Sequence, residues 1–225
     1  MNKLAEKKVF FTDNEDYFRE EIITYKYYSG FAISQKQKSI RSLHEAIKEK
    51  YPHVKILEIS TKSENVTGTK ASAFNLNYYY KELDRYINIE NVFQSSKIFE
   101  KGGPYRDLLD VSARDAKKDE RLNSSGKLIG FELHGERWPL EPKTIFYDWL
   151  YINALKDNTK IGNEIARYNC FTDIEFNHRK SINCQARAAA IFASLYNNEL
   201  LEEKTTSLET FKTIYTDIDE QISMF

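Results

Sequence analysis

Glu90, Gln94 and Lys97 in "IENVFQSSK" (residues 89–97) place a carboxylate, an amide and an amine at helical intervals. At 100° per residue they fall within about 60° of one another, opposite Val92, Ser96 and Phe99. Such a line is either a reactive stripe or a solvated face whose pairs contribute a few tenths of a kcal/mol. Spacing leaves both open. Lys36 and Lys38 in "SQKQKS" share a face if that segment is extended, and two adjacent ammonium groups favour a neutral amine able to attack electrophilic carbon; solvated lysines or phosphate contacts are the alternative. Asp173 and Glu175 in "FTDIEF" likewise share a face only in an extended segment, where they could orient hydroxyls or polarise water rather than serve as loop charges. In "SINCQARA", Asn183 reads as an N-cap; free N–H groups there would favour an anion, with Arg187 as a phosphate partner. Trp138 is either a stacking platform or a core anchor, and Lys143 binds phosphate or only water.

The elements that must position these groups read as mostly helix with short extended pieces. "YYSGFAIS" (27–34) alternates around Gly30 and predicts a strand or extended segment. Ile40, Leu43, Ile47 and Tyr51 predict a helix stopped by Pro52. "VKILEIS" (54–60) predicts a strand, followed by a polar loop. The helix from Ile89 must end before "KGGPY", a turn through Gly102, Gly103 and Pro104 that could lie beside a site. Ser112 with Asp115 suggests a capped short helix over 112–122, and 127–139 reads as strand and turn. "KTIFYDWLYINAL" (143–155) is apolar nearly all round and predicts a central buried helix. A further helix spans about 184–201, and Phe211, Ile214, Ile218, Ile222 and Phe225 form a helical stripe in the tail.

Composition narrows the classes. At 225 residues and 41% hydrophobic, the chain can bury a full core. Lys plus Arg number 33 against 34 Asp plus Glu, so no net positive field holds a nucleic-acid backbone and any such contact must be local. "MNKLAEKKVFFTDNEDYF" contains only the short apolar run Val9 to Phe11, which fits neither a secretory leader nor a membrane span; a cytoplasmic location is expected. Cys170 and Cys184 lack a CxxC, and His44, His53, His134 and His178 show no metal-ligand spacing, so neither a disulfide nor a metal is expected.

"YINIENVFQSSKIF" resembles the "W-P-x-x-E-H-Y-F-Q-A-x-K-F" segment of the NADAR (YbiA-like) family, with Tyr86 at the tryptophan position and Glu90, Phe93, Gln94, Lys97 and Phe99 on or beside matching positions. "YYSGFAIS", "SARDAKKDERL", "FTDIEF" and "SINCQARAAAIFASL" resemble further family segments in the same order over about residues 25–200. "SGFAISQKQKSIRSLH", "GGPYRDLLD", "WPLEPKT", "FYDWLYINAL" and "FTDIEFNHRKSINCQAR" are similar to the branch encoded beside DarT-type DNA ADP-ribosyltransferase toxins. Tyr86 replaces the usual tryptophan, and Phe176 with Asn177 stands where other members carry Trp-Gly.

The resemblance implies an α+β, predominantly helical single domain with a few short strands over 1–201; the apolar stripe predicts that 202–225 is a helical tail docked on the body or on a partner. The resemblance also implies N-glycosidic removal of ADP-ribose from the amino group of guanine in nucleic acid, reversing the toxin. No cofactor is implied, ADP-ribose being part of the substrate. The wider family implies cleavage of a phosphorylated riboflavin-pathway metabolite instead, and a non-catalytic toxin binder is a third reading. Cutting C1″ from an exocyclic amine requires a proton for the leaving nitrogen and electron density at a developing cation. Glu90, Lys38, Lys36 and Asp173 are then the expected catalytic groups, one lysine holding the opened sugar as a Schiff base. Tyr86, Gln94, Lys97, Gly103, Trp138, Glu175, Asn183 and Arg187 are the expected substrate contacts.

Overall fold

The computed structural model describes residues 3–177 and 183–222, with side chains as far as Tyr215. Its first element is one that the short apolar run at Val9 to Phe11 did not disclose. Lys3–Thr12 (β1) and Phe18–Tyr27 (β2) pair antiparallel over ten residues each, from Lys3 opposite Tyr27 to Thr12 opposite Phe18. Polar residues on the solvent side break the apolar pattern, so the hairpin shows only in Val9, Phe11, Ile23 and Tyr25, which it buries together. β1 also pairs with Cys170–Thr172 (β9), and β9 runs parallel to Ile56–Glu58 (β3), giving a sheet ordered β2-β1-β9-β3.

One face of this sheet is covered by α1, Ile33–Lys50, through Ile40, Leu43 and Ile47. Its C-cap is Tyr51, immediately before Pro52, as the periodicity predicted. Its start corrects an expectation. The 27–34 stretch is the end of β2 and a short loop with Gly30 at φ +133°, after which the chain is helical. Lys36 and Lys38 therefore stand about 200° apart on a helix and do not share a face.

The other face packs on the main core, where two long, largely buried helices meet. α6, Ile145–Asp157, and α8, Gln185–Asn197, bring Phe146, Tyr151, Ile191 and Phe192 against Phe10, Leu57 and Phe171. Three smaller units close the core. They are the short helix α2 (Val66–Lys70), the ribbon of Asn77–Tyr80 (β4) and Arg85–Asn88 (β5), and the sheet of Lys97–Phe99 (β6), Leu128–Leu133 (β7) and Glu136–Trp138 (β8). α3, Ile89–Ser95, sits between ribbon and sheet; α4 (Ala113–Lys118), α5 (Arg121–Ser124) and α7 (Thr159–Ile165) flank it and α6. The α+β class matches expectation.

The tail folds as α9 (Leu201–Thr205) and α10 (Leu208–Ile222), and Phe211, Ile214 and Tyr215 enter the main core. Tyr215 Oη donates to the buried Asp148 carboxylate at 2.6 Å. The side chains of Ile218 and Ile222, and Phe225 and His178 altogether, lie outside the described residues. Among the described residues no helix is long and apolar enough to cross a membrane. Cys170 and Cys184 are free, buried thiols.

Candidate active site

A cleft of about 630 Å³ opens where α3, the end of β9, the start of α6 and the approach to α8 converge. That size suits a small organic ligand or one nucleotide unit. Glu90 reaches it from the first turn of α3. Asn88 caps that turn, its Oδ1 accepting from Glu90 N at 3.0 Å. Every residue of α3 is buried, so the solvated-face reading of the Glu90 stripe fails: Glu90 and Gln94 are each 5% exposed.

Gln94 Nε2 donates to Glu90 Oε1 at 2.7 Å, and Lys117 Nζ from α4 stands 3.5 Å from the same oxygen. The Lys117 ammonium also lies 5.0 Å from the Phe74 ring centroid, so it is held at the rim by two contacts. α3 stops at Ser95, which puts Lys97 on β6 instead of on the helix. It still lines the cleft, its ammonium 4.9 Å from the Phe93 ring centroid. Burial lowers its pKa to about 8, although the nearby Glu90 pulls it back up. Among the described residues Gln94 Oε1 and Ser72 Oγ have no hydrogen-bond partner, and both residues line the cleft. A buried acceptor or hydroxyl left unpaired costs roughly 1–3 kcal/mol, so both are open to a hydrogen bond from water or from a ligand in the cleft.

Another part of the lining carries Asp173, which follows β9 directly and stands in a turn, not in the extended segment that would have put it on one face with Glu175. Asp173 Oδ1 accepts from Glu175 N at 2.9 Å and Phe176 N at 3.1 Å, and Oδ2 from Gln185 Nε2 at 2.9 Å. Gln185 is itself fixed, donating to Ile59 O and accepting from Ala73 N, each at 2.7 Å. Burial raises the Asp173 pKa to about 7, helped by the buried Glu58 carboxylate and opposed by Gln185 and Lys7. Glu58 is likewise raised by burial. Tyr147 joins the two walls: its hydroxyl, lifted well above the usual phenol range mainly by burial, senses Glu90 and Asp173 together.

Of the residues expected from sequence, Glu90, Gln94, Lys97, Asp173, Glu175 and Asn183 line this one cleft, as does Lys143. Asn183 is not the N-cap of α8, a place taken by Cys184. Lys36 Nζ pairs with Glu175 Oε1 at 3.4 Å from behind the wall, facing a second hollow of about 810 Å³ across residues 174–177. Lys38 is exposed and lines neither space. Tyr86 is exposed in a shallow groove of about 460 Å³ that shares only Phe74 with the cleft.

Three candidates are structural. Gly103 (φ +86°) lets the turn pass so close to Lys97 O that a Cβ would sit 2.2 Å away. Trp138 is 3% exposed and packs on Trp149 at 4.7 Å, a core anchor. The Arg187 guanidinium pairs with the buried Asp148 carboxylate, so it holds α8 to α6 instead of meeting a ligand. Sequence reading missed Ser72, Lys117, Tyr147, Gln185 and the buried Lys7 and Glu58. Lys117, Tyr147 and Gln185 lie in the family-like segments "SARDAKKDERL", "FYDWLYINAL" and "FTDIEFNHRKSINCQAR", which was the signal available for them. Among the described residues no group of three His, Cys, Asp or Glu side chains is placed to hold a metal.

Search against curated proteins returned no significant match. A family model described as DarT1-associated NADAR antitoxin matches residues 5–223, nearly the whole chain and every element that builds the cleft. The chain belongs to the DarT1-associated NADAR antitoxin family.

Proposed function

We propose that the protein is an N-glycosidic hydrolase that removes ADP-ribose from the amino group of guanine in nucleic acid, and that this turnover is its antitoxin activity against a DarT-type ADP-ribosyltransferase in the cytoplasm. The observation that carries this reading is that Glu90 and Asp173, brought from separate elements, are both buried and both line one nucleotide-sized cleft. Asp173, with its pKa near 7, holds a proton part of the time at neutral pH and is suited to deliver it to the guanine nitrogen as the C1″–N bond breaks. Glu90, aligned by Gln94 and Lys117, stabilises the positive charge growing at C1″ and takes a proton from the water whose oxygen bonds to that carbon. The products are ADP-ribose and the restored amine. No cofactor enters this balance.

Lys117 and Lys143 supply cations for the diphosphate, Gln94 Oε1 and Ser72 Oγ take ribose hydroxyls, and Phe93, Phe131 and Phe176 give an apolar wall. Lys97 supports a variant in which its neutral amine attacks C1″ before water releases the sugar. Lys36, ion-paired to the wall residue Glu175, is the nearer of the two lysines first nominated; Lys38 would need to leave its present face.

Incubating the protein with guanine-ADP-ribosylated DNA, unmodified DNA and a phosphorylated riboflavin-pathway intermediate, followed by mass analysis, tests the reading. Release of ADP-ribose from the modified DNA is expected. Cleavage of the metabolite alone moves the assignment to a metabolic N-glycosidase, and toxin capture without turnover moves it to a binding antitoxin.

A further inference from the structure

Behind Asp173 lies a buried charge cluster that the proposed chemistry does not use. Lys7, on the β1 strand, is 8% exposed, and its ammonium donates to Ile174 O at 3.0 Å and Phe176 O at 2.5 Å. The carbonyls it holds belong to the turn whose N–H groups, from Glu175 and Phe176, grip Asp173 Oδ1. The same turn is tied from its other side by Glu58, whose Oε1 accepts from Ile174 N at 2.8 Å and whose Oε2 accepts from Thr172 Oγ1. Thr172 Oγ1 in turn lies 3.0 Å from Nε2 of His44, which burial keeps neutral with a pKa pulled down to about 4. Two buried carboxylates and one buried ammonium thus lie near one another, and three strands and α1 converge on one short turn.

We propose that Lys7 is a positioning residue for the cleft: its ammonium pins the 174–176 turn so that Asp173 faces the substrate, and its charge limits how tightly Asp173 holds a proton. The proposal rests on the reading of Asp173 as a reacting group. Besides Asp173 and Glu58, the ionisable groups that Lys7 senses are Cys184 and Lys36. Asp173 senses Glu58 and Lys7, and it is sensed in turn by Cys184, Tyr147 and Tyr151. Cys184, Tyr147 and Tyr151 are all driven up by burial and stay neutral near pH 7. Among the described residues Lys7 is therefore a buried cation placed to offset the two carboxylates, and burial works against its own charge.

The test compares Lys7→Met, which keeps the stem and removes the charge, with Lys7→Arg, which keeps charge and donors. Carbon-13 NMR titration of the Asp173 carboxyl needs no substrate, so it decides the matter even where the assigned reaction proves wrong. The midpoint is expected to rise by about one pH unit in Lys7→Met and to return most of the way in Lys7→Arg. On modified DNA, kcat is expected to fall at least about tenfold in Lys7→Met with KM within about twofold, and its descending alkaline limb to shift upward with the NMR midpoint. A folded Lys7→Met whose Asp173 midpoint and kcat match the parent protein overturns the proposal. Should Lys7→Met not fold, Lys7→Gln, which retains a donor without charge, is read by the same two measurements.

Discussion

Replacing Glu90 with Gln keeps the shape of the side chain and removes its capacity to accept a proton. Gln94 donates to Oε1 and Lys117 forms an ion pair with it, so the new amide can still present its oxygen to both and α3 should stay in place. Turnover is expected to fall at least about a hundredfold in Glu90→Gln while the thermal transition stays within a few degrees; near-parent rates would remove Glu90 from the mechanism. Asp173 carries a pH prediction with a definite sign. Its folded pKa, near 7, lies above the unfolded value of 3.8, so the folded chain binds the extra proton between those limits. Stability supplied by that proton is present at low pH and lost as pH rises toward 7. Urea titrations from pH 4 to 7.5 should show that decline in the parent protein and a shallower one in Asp173→Asn, with Glu58, raised in the same sense, supplying the remainder. The slope is the readout, because Asn would also turn an NH₂ toward the fixed Gln185 donor.

Elements set where these groups point. α3 is only seven residues long and too short to hold itself, so its first turn depends on the Asn88 cap and on packing. Asn88→Ala should cost about 1 kcal/mol in urea unfolding and lower kcat more than that loss alone explains, because Glu90 is the residue whose N–H is capped. Gly103 tests a different element. Its positive φ and the 2.2 Å approach of a Cβ to Lys97 O make Gly103→Ala strained in two ways. A loss on the order of 1–3 kcal/mol is expected by the same measurement, with reduced turnover because β6, which carries Lys97, has to shift. Unchanged stability would mean that the turn is looser than its geometry implies.

At the scale of the molecule, the C-terminal helix closes over charge buried between α6 and α8. Asp148 is fully buried, pushed toward its protonated form by burial and drawn back by Arg187 and Tyr215. Tyr215→Phe deletes one donor to a buried carboxylate that Arg187 and Thr144 also hold. The expected cost is on the order of 1–3 kcal/mol in chemical denaturation, with kcat on modified DNA unchanged within about twofold, since Tyr215 does not line the cleft. Loss of activity in a stably folded Tyr215→Phe would instead tie the tail to the reaction.

The sequence by itself determined the near-neutral surface, the buried α6, the cap of α4 and the stop of α1 at Pro52, because each rests on residue type or on spacing within a few turns. It also nominated Glu90 and Asp173, through family-like segments. Tertiary structure alone decided that Glu90 and Gln94 are buried, that Lys97 meets them from a strand, and that Arg187 and Trp138 belong to the core. Lys7 shows why. Its bond to the Ile174 carbonyl spans 167 residues, and no local periodicity encodes which distant backbone an ammonium will find once a hairpin docks against a sheet.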